Sequence, residues 1–323
     1  MMRAPAFWYK RGMTGAFLAP LGWLWAAGAQ ARAAKPARHR SPIPVICIGN
    51  LSVGGAGKTP IAESIARLIP GAHFLSKGYG GKETGPLRVE PHRHGYQQVG
   101  DEPLLLAEIA PTWVAKNRIE GAEAAAEAGA SCLVMDDGFQ DPSLEKDIAI
   151  LVVDGHTGFG NERCLPAGPL REPVEQGLRR ADAVVILGED RHDIANRVAP
   201  KPVLYAWLEP EAEASILVGR KVVAFAGIGR PAKFFHTLDT LGANVVEAYA
   251  FPDHYPFHPA EIGELQVAAN NHNAFLVTTA KDFVRVPHAM RDQIGVVQMD
   301  VAWDHEAALL DILAPALGDR PHL

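Results

Sequence analysis

Ser52-Val53-Gly54-Gly55-Ala56-Gly57-Lys58-Thr59 combines the residue types that together bind a triphosphate. A glycine-rich turn lets backbone N–H groups approach phosphate oxygens, a lysine neutralises the β/γ oxygens, and a threonine hydroxyl reaches Mg²⁺. The turn follows the apolar run Val45-Ile46-Cys47-Ile48 and precedes Pro60, which suits a first helical turn because its missing N–H is not needed there. Ser52 stands where such loops begin with glycine, one small residue for another. A bare glycine cluster would serve equally well as a plain connection. The Lys-Thr pair, in a strand, turn, helix order, is what points to nucleotide chemistry.

That chemistry needs a carboxylate on the metal. In Cys132-Leu133-Val134-Met135-Asp136-Asp137-Gly138-Phe139-Gln140 an apolar strand ends in two aspartates, the arrangement of a Walker B partner, with Asp136 beside Mg²⁺. In isolation the same residues would read as a strand ending in an Asp-Gly turn. Glu102 or Asp137 is expected to complete the metal shell, directly or through water. Tyr79, Arg118 and Arg171 are candidates for acceptor contacts, Arg171 being suited to an anionic group because a guanidinium binds phosphate bidentately. An ordinary surface or packing role is open to each of the three.

The elements that must carry these residues alternate strand and helix. They predict an α/β fold, with a P-loop NTPase-like α/β/α sandwich over residues 41–205 and a smaller α/β domain over 206–323 that contributes to the active site. Ile61, Ile65 and Leu68 repeat at helical spacing behind the loop. His73–Leu75 predicts a strand ending in the turn Ser76-Lys77-Gly78-Tyr79-Gly80-Gly81; Trp113–Ala115, Ile148–Val153 and Ala183–Leu187 predict more strands, and Arg118–Ala128 a helix. Three prolines between Leu165 and Pro173 exclude regular structure there. Pro200–Ser215 reads as the passage between domains. Beyond it come a strand from Val222 into Gly227-Ile228-Gly229, helices over Pro231–Leu241 and Ala260–Asn270, and strands over Phe275–Thr278 and Val296–Met299.

The 323 residues, 48% hydrophobic and 21% charged, suit a globular chain with room for two domains. Cys47, Cys132 and Cys164 are spaced for neither a zinc site nor a disulfide framework, which fits a reducing compartment. Residues 1–62 hold eight of the 31 Lys and Arg and none of the 37 Asp and Glu. This basic end is also apolar: Gly12–Ala31 is uncharged and contains Phe17, Leu18, Leu21, Trp23, Leu24 and Trp25, flanked by Lys10, Arg11, Arg32, Lys35, Arg38 and Arg40. Ala29-Gln30-Ala31 has the look of a secretory cleavage site, but a nucleotide loop following so soon would have no use outside the cytoplasm. Pro20 and four glycines make a poor spanning helix. A simple buried helix is one remaining reading. An interfacial helix suits the tryptophans and basic flanks best, so residues 1–40 are expected to form a membrane-association segment. The acidic remainder of the chain argues against a nucleic-acid partner.

Taken in chain order, Gly49 through Pro60, Ser76–Gly80, Gly100-Asp101-Glu102-Pro103, Asp136–Gln140, Leu165–Pro173, Phe225–Pro231 and Asp253-His254-Tyr255 resemble the tetraacyldisaccharide 4'-kinase family across roughly residues 5 to 285. Lys77 and Gly81 stand where that family usually has arginines, and Ala280 where it usually has glutamate. The resemblance implies a kinase that uses ATP and Mg²⁺ to phosphorylate the 4'-hydroxyl of tetraacyldisaccharide 1-phosphate. It would be peripheral or monotopic on the cytoplasmic face of the bacterial inner membrane, with no obligate protein partner. It also implies Asp101 as the base for the sugar hydroxyl and His254 as its partner from the second domain, beside Lys58 and Asp137 in the catalytic set; spacing alone could not pair residues so far apart. Bringing His254 to Asp101 is expected to need domain closure. A different class of answer is a membrane-associated P-loop ATPase acting as a nucleotide switch for a protein partner, which would release free phosphate.

Overall fold

The computed structural model describes residues 5–33 and 39–317, so Lys35 and Arg38 of the expected basic flank lie outside the described residues. The chain opens with α1 (Met13–Phe17) and α2 (Ala19–Ala33) and enters a large sheet through β1 (Val45–Gly49). There follow α3 (Lys58–Arg67), β2 (Ala72–Ser76), β3 (Leu87–Arg88), α4 (Tyr96–Val99), α5 (Asp101–Ile109), β4 (Thr112–Val114), α6 (Arg118–Glu127) and β5 (Cys132–Asp136). Next come β6 (Ile148–Asp154), α7 (Val174–Arg180), β7 (Ala183–Leu187), α8 (Ile194–Val198) and β8 (Val203–Pro210). A smaller lobe holds β9 (Lys221–Ala226), α9 (Pro231–Leu241), β10 (Asn244–Ala250), α10 (Pro259–His272), β11 (Phe275–Thr279), α11 (Ala280–Phe283) and β12 (Ile294–Val297). The chain then returns to the large sheet with β13 (Met299–Trp303) and ends in α12 (Glu306–Leu317).

Nine strands lie in the order β13-β8-β7-β6-β1-β5-β2-β4-β3, parallel except for the edge strands β13 and β3; the smaller sheet, β10-β9-β11-β12, is wholly parallel. β1, β5 and β7 are buried end to end, as continuous apolar strands must be when helices cover both faces of a sheet. α3 sets Ile61, Ala62 and Ile65 against Ile46 and Ile48 of β1, and burial of each isoleucine contributes about 1.5–3 kcal/mol. That packing anchors the helix with its N-terminus at the ligand edge of the sheet.

Two expectations change. Pro200–Ser215 is not a free passage: β8 occupies half of it, because its prolines fall before the strand or at its last residue, where a missing N–H is tolerated. The assignment of all of 206–323 to the smaller domain is corrected too. β13 pairs antiparallel with β8 from Met299↔Pro210 to Trp303↔Ala206, and Leu309 and Leu313 of α12 share the core that holds α3. β10 carries too few buried residues to announce itself as a strand.

The N-terminal segment lies on the large lobe. Ala19, Gly22 and Ala29 form its buried side, and a Cβ on Gly22 would come within 2.9 Å of the Cys164 carbonyl oxygen. Trp8 Nε1 donates to the Pro166 carbonyl at 3.1 Å and Trp25 Nε1 to that of Arg171 at 2.9 Å, so the proline-rich loop is the docking surface. Among the described residues no helix is long and apolar enough to cross a membrane.

Candidate active site

The loop from Ser52 to Thr59 links β1 to α3. Gly57 sits at φ +80°, and a Cβ there would fall 2.1 Å from Leu187 Cδ2, so both conformation and space demand glycine. Parallel register sets Asp136 beside Ile48, one strand from the loop. Thr59 Oγ1 donates to Asp136 Oδ2 at 2.9 Å, while Asp136 Oδ1 is buried without a hydrogen-bond partner. Burial, then the charge of Glu102, pushes the Asp136 carboxyl up to about 7. An orphaned acidic oxygen beside a threonine hydroxyl is the donor set of a hard cation, and the residues fit Mg²⁺. Among the described residues no group of three or more His, Cys, Asp and Glu side chains could hold a metal ion. Asp137 faces Lys58 at 3.7 Å and Arg171 at 2.8 Å. Burial opposes its ionisation, but those two cations outweigh burial and hold its carboxyl below the usual range.

The second constellation starts at the N-terminus of α5. Gly100, at φ +93°, lies so close to Tyr79 that a Cβ would sit 2.5 Å from its carbonyl oxygen, and this contact brings Asp101 to the glycine turn after β2. His254 Nδ1 approaches Asp101 Oδ2 at 2.8 Å across the two lobes. For Asp101, burial again favours the neutral acid, but the hydrogen bond from His254 and the charges of Lys281 and Arg285 hold the carboxyl below its ordinary value. An ionised carboxylate only accepts, so the His254 Nδ1–H donates. The expected closure is not needed for this contact, which is already made. His254 (φ 60°) and Asp137 (φ 56°) both adopt the left-handed conformation, which costs about 1–3 kcal/mol and is found where the surroundings over-determine the backbone.

One cleft of about 1780 Å³ runs from Trp25 past Lys58 and Asp137 to His254 and Lys281. Tyr79 is exposed on its wall and Arg171 lines it. Arg118 is buried at 2% exposure, its Nη1 donating to the Leu75 carbonyl at 2.7 Å, so the guanidinium is committed to the end of β2. Three contributors had no assigned role in sequence. Gln140 bridges the Asn50 carbonyl and Glu172 while accepting from Arg171 at 3.4 Å. Lys281 Nζ lies 3.7 Å from Glu102. Arg230 closes an ion pair with Asp154 at 2.5 Å, joining the lobes at a second point. Gln140 and Arg230 lay inside the segments Asp136–Gln140 and Phe225–Pro231 that resemble the family, which was their signal in the sequence.

Glu63 on α3 lines the same cleft, and its carboxyl is pushed up to about 7 by burial, with Arg67 opposing and Asp136, Glu211 and Asp300 adding to the rise. Because the folded pKa exceeds the ordinary 4.5, the folded state holds the proton longer than the unfolded chain, and stability falls as pH rises from 4.5 to about 7. Glu63→Gln is therefore expected to raise Tm by a few degrees at pH 8 and by almost nothing at pH 4.5, measured by thermal melting at both.

A glycine-rich Lys-Thr loop beside a strand-end carboxylate, facing an Asp-His pair made between the two lobes, has the form of a P-loop phosphotransferase site: one element can hold a nucleotide and the other can activate a hydroxyl. The family model for tetraacyldisaccharide-1-P 4'-kinase (LpxK) matches residues 14–317. A tetraacyldisaccharide 4'-kinase of Rhodospirillum rubrum is 52% identical, the match covering 95% of this chain and 96% of that one; the corresponding protein of Rhodospirillum centenum is 50% identical, covering 99% and 98%. The crystal structure of LpxK from Aquifex aeolicus, an "apo" form in complex with ATP, superposes with a TM-score of 0.79 at 29% identity, covering 95% of this chain and all of that one. The chain belongs to the tetraacyldisaccharide 4'-kinase family, and it is a kinase.

Proposed function

We propose that this chain transfers the γ-phosphate of ATP to the 4'-hydroxyl of tetraacyldisaccharide 1-phosphate, working at the cytoplasmic face of the inner membrane. The observation that carries this reading is the 2.8 Å contact between Asp101 and His254 in the same cleft as the phosphate loop. A hydrolytic switch has no need of a general base aimed at an alcohol.

The loop amides and Lys58 bind the β/γ oxygens, and the loop's position at the N-terminus of α3 adds the helix dipole. Thr59 and Asp136 would hold Mg²⁺, with Glu102 adjacent; the ion, when bound, neutralises charge on the phosphates. Asp137, clamped by Lys58 and Arg171, fixes the lysine's direction. Asp101 accepts the 4'-hydroxyl proton as that oxygen attacks the γ-phosphorus and the bond to the β-phosphate oxygen breaks, leaving ADP. His254 donates to the Asp101 carboxylate and keeps it oriented. Tyr79 and Arg171 face the space left for the acceptor, and Arg118 braces its floor.

A four-chain lipid hardly leaves a bilayer, since each buried methylene is worth about 0.8 kcal/mol, so the enzyme must dock there. Peripheral docking through residues 1–40 is supported by the outward side of α1 and α2, where Met13 (90%), Phe17 (85%), Trp23 (70%) and Leu24 (71%) are exposed together. The triple substitution Phe17→Ser, Trp23→Ser, Leu24→Ser is expected to weaken partition onto anionic vesicles by at least about 10²-fold in a sedimentation assay, each side chain contributing about 1.5–3 kcal/mol when buried. Unchanged partition would place the docking surface elsewhere.

The test of the function is transfer of γ-labelled phosphate from ATP to tetraacyldisaccharide 1-phosphate in detergent micelles, beside a lipid-free control. Labelled lipid is expected. Free phosphate without labelled lipid, from folded enzyme, would favour the switch.

A further inference from the structure

Arg285 is a charged side chain almost wholly out of water, 1% exposed, and no step of the reaction so far uses it. Its guanidinium gathers three segments of the smaller lobe. Nη1 and Nη2 both donate to the Gly227 carbonyl at 3.2 Å, Nη1 reaches the Tyr255 carbonyl at 3.4 Å, and Nε donates to the Lys281 carbonyl at 3.2 Å. Nη2 also donates to Asp282 Oδ1 at 2.8 Å, and that oxygen accepts the Gly227 N–H at 2.9 Å. Asp282 is itself tied to Thr279 Oγ1 at 2.6 Å.

The Gly227 carbonyl is the junction, because it also accepts the backbone N–H of His254 at 3.0 Å. The left-handed backbone of His254 is thus held on one side by Gly227 and on the other by Tyr255, and both are fastened to the same guanidinium. Asp282 alone would satisfy the charge of Arg285. Yet Nε also lies 3.9 Å from Asp101 Oδ2, on the other lobe. One planar fork therefore reaches the Asp101 carboxylate and the two carbonyls that flank the His254 backbone, which the single ammonium of a lysine has neither the donors nor the geometry to do.

We propose that Arg285 is a positioning residue for phosphoryl transfer, holding the backbone of His254 and the carboxylate of Asp101 in register across the two lobes. The proposal rests on the reading of Asp101 and His254 as the acceptor-activating pair. Displacing such a pair by about 1 Å costs on the order of 10² in rate, while nucleotide binding is left alone because none of the Arg285 contacts is to the phosphate loop.

The test is the labelled-lipid transfer assay with Arg285→Lys, and with the charge-neutral pair Arg285→Met/Asp282→Asn, which avoids stranding a buried carboxylate. Each is measured in the wild-type and Asp101→Asn backgrounds beside its melting temperature. The neutral pair is expected to lower kcat by about 10–100-fold with KM for ATP within about twofold. Arg285→Lys is expected to recover only part of the rate, and neither change should cost much further once Asp101 is Asn, because linked residues are not additive. Wild-type kcat in the folded neutral pair, or an equal fall in the Asp101→Asn background, would overturn the proposal. If the neutral pair does not fold, Arg285→Lys decides alone: lowered kcat at unchanged ATP KM and Tm supports positioning, and unchanged kcat refutes it. Full turnover in Asp101→Asn itself would instead remove the acceptor-activating pair, a result distinct from failure of Arg285.

Discussion

Lys58→Ala is expected to lower kcat/KM for lipid phosphorylation by about 10³-fold or more while leaving the protein folded. Lys58 opens α3, and its side chain is only 11% exposed, with the ammonium 3.7 Å from Asp137. A unit charge pair near 4 Å in partly buried surroundings is worth about 4 kcal/mol, which is close to three decades in rate if the contact is fully realised only with the transferring group in place. Its loss also leaves Asp137 facing the incoming triphosphate with Arg171 as its ion-pair partner. The fold should tolerate the change because Asp137 keeps its 2.8 Å partner Arg171. The measurement is γ-label transfer to the lipid together with a melting curve. A folded variant that transfers at the wild-type rate would take the loop out of the chemistry.

Asp101→Asn is expected to reduce kcat by about 10²–10⁴-fold with KM for ATP nearly unchanged. Asparagine keeps the shape and can still accept the hydrogen bond from His254 Nδ1, so what disappears is the proton acceptor. Burial raises the Asp101 carboxyl, but the hydrogen bond from His254 and the charges of Lys281 and Arg285 bring it below the ordinary 3.8. The sign follows from that direction: the stability contributed by the ionised form is present above the ordinary value and is lost as pH falls through the lowered one. The base is therefore ionised in the free enzyme through the whole neutral range, and any limb that Asp101 imposes on kcat/KM for the lipid lies on the acid side of 3.8. A full pH profile of kcat/KM for wild type, with kcat of the variant, checks both parts. An Asn variant with near-normal kcat would leave the sugar hydroxyl without need of this residue.

The glycine-rich turn between β1 and α3 and the strand that ends in Asp136 were legible before folding because each is a local pattern. An apolar run, a set of glycines and a Lys-Thr pair occupy consecutive positions, and the strand they follow must be central because it is apolar throughout. The return of the chain through β13 was not legible. Met299-Asp300-Val301-Ala302-Trp303 is short and mixed, and it is a strand because β8 offers it an edge. The same holds for β8 itself, hidden among residues that read as a linker. The N-terminal segment carried two signals at once: its small residues with Trp8 and Trp25 seat it on the proline-rich loop, and Met13, Phe17, Trp23 and Leu24 face outward. Composition alone could not say that both apply to one helix.

The glycine-rich Lys-Thr loop, the buried strands β1, β2, β5, β6 and β7 with the helix behind the loop, and the apolar, basic character of the N-terminus all reside in residues close together along the chain. Short-range sterics and hydrophobic periodicity are enough to decide them. The meeting of Asp101 with His254, 153 positions apart, needed the packed lobes to bring two loops to one point. So did the buried fork of Arg285, the bridge of Gln140 and the ion pair of Arg230 with Asp154. Such long-range pairs leave no periodicity behind, because their geometry is set by how the sheets and helices bury their apolar faces.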